Sequence, residues 1–129
     1  MSSPNIEWLC RESLMEALNA LRAQYEDDPI VIINEEPIDY VLNLDALSFY
    51  YDDDPLQLAA AIIRTIIQGH PLQDGNKRFG MVLGFYFLAT NGLSLNVSNE
   101  DFLNTALDVA KGKLNREGLY CWLVDNAIK

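Results

Sequence analysis

The chain has 129 residues, nineteen acidic against nine basic, for a formal net charge of −10 and a pI near 4.3. Half of the residues are hydrophobic, which fits one globular domain over 1–129 with a core large enough to fold independently. So acidic a chain lacks the basic footprint that nucleic acid and anionic membranes require, and its longest apolar run, Met81 to Ala89, is too short to span a bilayer.

Met1-Ser2-Ser3-Pro4 offers neither a basic region nor an apolar run, so a cytoplasmic protein without a secretory leader is expected. Ser3-Pro4 reads as an N-cap with proline in the first turn of a helix. Ile6, Leu9, Cys10, Leu14, Leu18 and Leu21 continue it to about Tyr25, and Glu26-Asp27-Asp28-Pro29 breaks it. Ile30-Val31-Ile32-Ile33 and Ile38-Asp39-Tyr40-Val41 flank Asn34-Glu35-Glu36-Pro37 and predict a β-hairpin, which must pack on helices to be stable. Leu42 to Tyr51 predicts a short helix.

Asp54-Pro55-Leu56-Gln57 is a helix start: aspartate as cap, proline at the first helical position, glutamine at the capping-box position. The apolar series from Leu58 to Ile67 follows, with Gly69 as the expected stop. Arg78 to Thr90 is apolar on nearly every side and predicts a central, buried helix, with Gly80 and Gly84 allowing close approach of a neighbour. Leu93 to Val97 reads as an extended link. Ser98-Asn99-Glu100-Asp101 opens a helix through about Lys111, with Gly112 beyond its end, and Arg116 to Ile128 predicts the last helix, with Leu119, Trp122 and Leu123 facing in. Cys10 and Cys121 lie near opposite ends, within helical patterns, and read as buried, reduced thiols. The sum is an all-α bundle of orthogonal helices with one short β-hairpin.

Between the two long apolar segments stands His70-Pro71-Leu72-Gln73-Asp74-Gly75-Asn76-Lys77-Arg78, which contains the only histidine. Histidine titrates near neutrality and can take the proton of an incoming hydroxyl, although a histidine before proline can also be a plain loop residue. Asp74 supplies the loop's only carboxylate, the hard oxygen ligand that Mg²⁺ on a nucleotide needs, and Asp-Gly is also a common turn pair. Gly75 permits close backbone approach. Asn76 could cap the next helix. Backbone N–H groups from Gly75 to Lys77, at the positive end of a helix, can form an anion hole. Lys77 and Arg78 would add charge to it, or lie on a solvated surface. The loop lacks Walker-A spacing, and one His with two distant Cys makes no zinc cluster.

His70, Asp74, Gly75, Asn76, Lys77 and Arg78 together resemble the signature of the Fic/Doc proteins. They are most similar to the Doc branch, whose loop reads His-x-Phe-x-Asp-(Gly/Ala)-Asn-Lys-Arg. Fic-type AMP-transferases usually carry glycine where this chain has Lys77 and a second arginine where it has Met81. The departures are Leu72, in place of a phenylalanine that anchors the loop, and Phe79, where threonine is common.

The resemblance implies the Fic/Doc fold, with the loop between two central helices and a hairpin, here 30–41, as a target-docking flap. A structural hairpin over the core is the other reading. The resemblance further implies ATP and Mg²⁺ as cofactors, His70 as general base, Asp74 as magnesium ligand, and Gly75, Asn76, Lys77 and Arg78 as nucleotide-binding residues, with Lys77 and Arg78 also catalytic. Lysine in place of glycine would invert the nucleotide and make the enzyme a toxin-like kinase of Ser/Thr hydroxyls. The branch's target is elongation factor Tu, whose modification arrests translation. AMP transfer (AMPylation) by the same loop is the first alternative, and a catalytically silent interaction module is the second. The family's inhibitory Ser/Thr-x-x-x-Glu-(Gly/Asn) motif is not matched, because Lys113 stands where Glu117-Gly118 would need Ser or Thr. The resemblance therefore implies a separate cognate antitoxin.

Overall fold

The computed structural model describes residues 5–24 and 30–128. In chain order these form α1 (Arg11–Gln24), α2 (Glu36–Leu42), a 3₁₀ helix (Leu44–Tyr51), α3 (Pro55–Gly69), α4 (Asn76–Thr90), β1 (Ser94–Leu95), α5 (Asn99–Ala110), α6 (Arg116–Asn126) and β2 (Ala127–Ile128). The fold is all-α, with β1 and β2 pairing antiparallel through Ser94–Ile128 and Leu95–Ala127.

α3 and α4 form the central pair. α3 also meets α2, the 3₁₀ helix, α5 and α6, while α1 packs on α4. The reason lies in α3 itself, where Leu58, Ala59, Ile62, Ile63, Ile66 and Ile67 are fully buried. Each large aliphatic side chain so placed contributes about 1.5–3 kcal/mol. The pair can close because α4 presents glycines to α3. A Cβ on Gly80 would lie 2.7 Å from Ile67 Cγ1, and one on Gly84 would collide with Ile63.

Three helix starts follow the sequence rules. The Asp54 side chain caps α3, that of Ser98 caps α5 and that of Asn115 caps α6. α1 departs from them. Residues 5–10 are not helical, and α1 begins at Arg11, where the Ser13 hydroxyl accepts from Cys10 N–H at 3.0 Å. The segment before it is tied to the end of α4 instead: Asn91 Oδ1 accepts from Glu7 N–H at 2.8 Å, and Asn91 Nδ2 donates to the Glu7 carbonyl at 3.1 Å. The expected Ser3-Pro4 cap and the break at 26–29 lie outside the described residues. Cys10 and Cys121 are free and exposed, not buried: Cys10 precedes α1, whose apolar stripe runs through Leu14, Leu18 and Leu21, and the buried face of α6 runs through Leu119 and Leu123.

The expected hairpin at 30–41 does not form. Its second half is α2, because Pro37, Ile38 and Val41 are spaced to bury one helical face. Its first half pairs with the loop after α3. Ile32 bridges Leu72, Gln73 N–H donates to the Val31 carbonyl at 2.9 Å, and Ile33 N–H donates to the Pro71 carbonyl at 2.8 Å. The chain beyond Leu42 is a 3₁₀ helix rather than an α-helix, and the last helix stops at Asn126 so that Ala127–Ile128 can pair with β1. No helix among the described residues is long and apolar enough to cross a membrane.

Candidate active site

The loop from His70 to Gly75 joins the C-terminus of α3 to the N-terminus of α4, so the tightest packing in the molecule holds both of its ends. The helix α3 stops just before His70, as expected, and its last residue is Gly69. The lack of a side chain at Gly69 is needed because a Cβ would lie 2.6 Å from Pro37 Cγ. The helix ends at His70, which adopts left-handed φ 52° and ψ 57°. That conformation is uncommon for a non-glycine residue and costs on the order of 1 kcal/mol. It turns the chain sharply and leaves the imidazole exposed.

Leu72 is 1% exposed and anchors the loop in the core, as phenylalanine does in the family pattern. Phe79, one turn into α4, is also fully buried, which accounts for an apolar residue there. Asn76 does not cap α4. It is the first residue of that helix, and its side chain reaches back to Leu72. Oδ1 accepts from Leu72 N–H at 2.8 Å and Nδ2 donates to the Leu72 carbonyl at 2.9 Å. These two bonds fix which end of the amide is oxygen. Nδ2 also stands 3.4 Å from His70 Nδ1, a weak contact that orients the ring.

The N-cap of α4 is Gly75, at φ 89°, and no side chain caps this helix. The N–H groups of Asn76 and Lys77 therefore stay available at the positive end of the helix dipole. Gly75 N–H itself donates to Asp74 Oδ1 at 2.9 Å. Lys77 and Arg78 are exposed. Asp74, Gly75, Lys77 and Arg78 line one side of a pocket of about 280 Å³, and Phe102, Leu103, Ala106 and Leu107 of α5 line the other.

The arrangement suits a nucleotide. It offers uncapped N–H groups and two cations for phosphates, an apolar wall for a base, a carboxylate, and an imidazole tied to the same loop. Asp74 fits Mg²⁺, since magnesium takes one or two protein carboxylates and completes its shell with phosphate oxygens and water. The α5 wall went unread in the sequence, although the exposed pair Leu103 and Leu107, four residues apart on an otherwise polar face, was a usable signal.

An all-helical fold whose two central helices hold such a loop agrees with the Fic/Doc fold. The model of the Fic/DOC family matches residues 11–88, more than half of the 129, and the chain belongs to that family. Members are generally nucleotide-dependent protein transferases. No curated protein matches the chain.

Proposed function

We propose that the protein is a Doc-like kinase that transfers the γ-phosphoryl of ATP to a Ser or Thr hydroxyl of a cellular protein. The observation that carries this is the pairing of Lys77 with Met81. Lys77 stands in the first turn of α4, beside the anion hole, where AMP-transferases keep glycine and seat the β-phosphate. Its bulk and charge disfavour that seating. One turn further, the place of the second phosphate-binding arginine is taken by Met81, which is fully buried and serves the core.

In this reading the unprotonated ring nitrogen of His70 accepts the hydroxyl proton as the target oxygen attacks the γ-phosphorus. The oxygen–phosphorus bond forms, the bond to the β-phosphate oxygen breaks, and ADP leaves. The N–H groups of Asn76 and Lys77, with the side-chain cations of Lys77 and Arg78, hold the phosphoryl oxygens. Asn76 keeps the loop in register through Leu72. Asp74 would hold Mg²⁺, which when bound draws the phosphates together and neutralises charge developing on them. Catalysis rests on alignment and electrostatics rather than covalent chemistry by the protein. The strand-like segment 31–33 lies against the loop and offers a sheet edge on which a target segment could align. Elongation factor Tu is the target the branch resemblance supplies, with arrested translation as the outcome, a cytoplasmic site of action and a separate antitoxin as the control.

Lys77→Gly tests the reading directly. The variant is expected to lose γ-phosphoryl transfer and to gain AMP transfer from the same ATP. Undiminished γ-transfer by the glycine variant would contradict the inverted nucleotide.

A further inference from the structure

A second pocket, of about 410 Å³, opens beside α3 and shares no lining residue with the first. Tyr40 of α2, Tyr51 of the 3₁₀ helix, Arg64, Thr65 and Gln68 of α3, and Arg116 of α6 line it. We propose that this pocket binds a small phosphomonoester, with Arg64 and Arg116 as the paired cations.

Three features point to a dianionic oxygen ligand. First, Arg64 is the only cation in the apolar run of α3, and its Nε is buried without a hydrogen-bond partner. A buried guanidinium donor left unpaired is costly, and a turn of the Arg64 side chain onto an acceptor in the pocket would satisfy it. Second, the lining contains two arginines and no carboxylate, in a chain with nineteen acidic residues. Arg116 lies 5.0 Å over the Tyr51 ring and is the first residue of α6. A cation at the positive end of a helix is unfavourable, and an anion between it and Arg64 removes that conflict.

Third, the Tyr40 and Tyr51 hydroxyls are 2.6 Å apart. They carry two protons and spend one on each other, so one O–H remains to donate into the pocket. Partial burial, and then the Tyr51 hydroxyl, push the Tyr40 phenol up to about 12, which keeps that proton in place at neutral pH. Two guanidinium groups, a phenol and the Thr65 hydroxyl suit the several acceptor oxygens of a phosphate better than the two of a carboxylate. The volume exceeds that of inorganic phosphate and lies in the range of small-molecule sites, leaving room for the body of an ester.

The test is titration of the whole chain with ribose 5-phosphate and with inorganic phosphate, reading the arginine Nε–Hε resonances by NMR. The ester should shift the Arg64 signal saturably and bind more tightly than free phosphate. Arg64→Gln and Arg116→Gln should each weaken binding by about tenfold or more, as expected for loss of a charge-assisted hydrogen bond. Arg116→Gln lies on the surface and keeps the test informative if the Arg64 variant does not fold. An unmoved Arg64 signal at millimolar ester would overturn the proposal. So would an equal shift produced by sodium chloride at matched ionic strength, or binding that Lys77→Ala removes while both arginine variants retain it.

Discussion

Asn76 grips Leu72 by both faces of its peptide, accepting from the N–H at 2.8 Å and donating to the carbonyl at 2.9 Å. The clamp joins the first residue of α4 to a loop residue sunk in the core. The loop's conformation is thereby tied to the α3–α4 packing beneath it. Aspartate cannot reproduce the clamp, since it has no hydrogen to give the carbonyl. Asn76→Asp should lower stability by about 1–3 kcal/mol, the cost of leaving part of that pairing unmade, and should abolish transfer. Thermal melting and an activity assay check the two halves separately. Full activity in the aspartate variant would detach the clamp from catalysis.

Leu72→Ala probes the same anchor from the core side. Loss of a fully buried leucine costs about 2–5 kcal/mol. The pairing of Ile32 with Leu72 should loosen as well, so amide exchange should rise at Ile33 and Gln73, whose N–H groups bond across this pair. Leu72→Phe should retain the fold if the pocket can take the larger ring, and the two melting temperatures decide between cavity and crowding.

Gly84→Val should destabilise strongly, because any side chain there meets Ile63 of the facing helix. About 1–3 kcal/mol is expected from overpacking alone. Denaturant unfolding measures it. A neutral result would mean that α3 and α4 can move apart at low cost, and the loop would lose its rigid base.

Asp74→Ala should remove the magnesium dependence of ATP binding while leaving the uncapped N–H groups of α4 to hold phosphate weakly. Calorimetric titration with and without Mg²⁺ separates the two. Unchanged magnesium dependence would reduce Asp74 to a turn residue that accepts from Gly75 N–H.

Much of this architecture is legible in the sequence. Asp54 and Ser98 were legible as caps because capping needs only a local pattern, and the buried face of α3 was legible from its periodicity. Segment 30–41 was not. Ile30 to Ile33 is β-prone, but its partner is the loop at 71–73, and no local rule reveals a pairing forty residues away. With that partner taken, Pro37, Ile38 and Val41 were free to bury a helical face on α3. The signature residues were legible as chemistry, but the Asn76 clamp was not, since a cap and a clamp look alike in sequence. Arg64 alone in an apolar helix was the visible sign of the second pocket.

The central claim is that Lys77 and Met81 make this loop a γ-phosphoryl donor site. The most direct measurement incubates the protein and its His70→Ala variant with cell lysate, Mg²⁺ and ATP labelled at either the α- or the γ-phosphate. The account predicts γ-label on a protein, none from the α-position, and loss of the γ-label with His70→Ala. An α-label on the target would contradict it and establish AMP transfer, and label from neither position in lysates of several hosts would favour a silent interaction module.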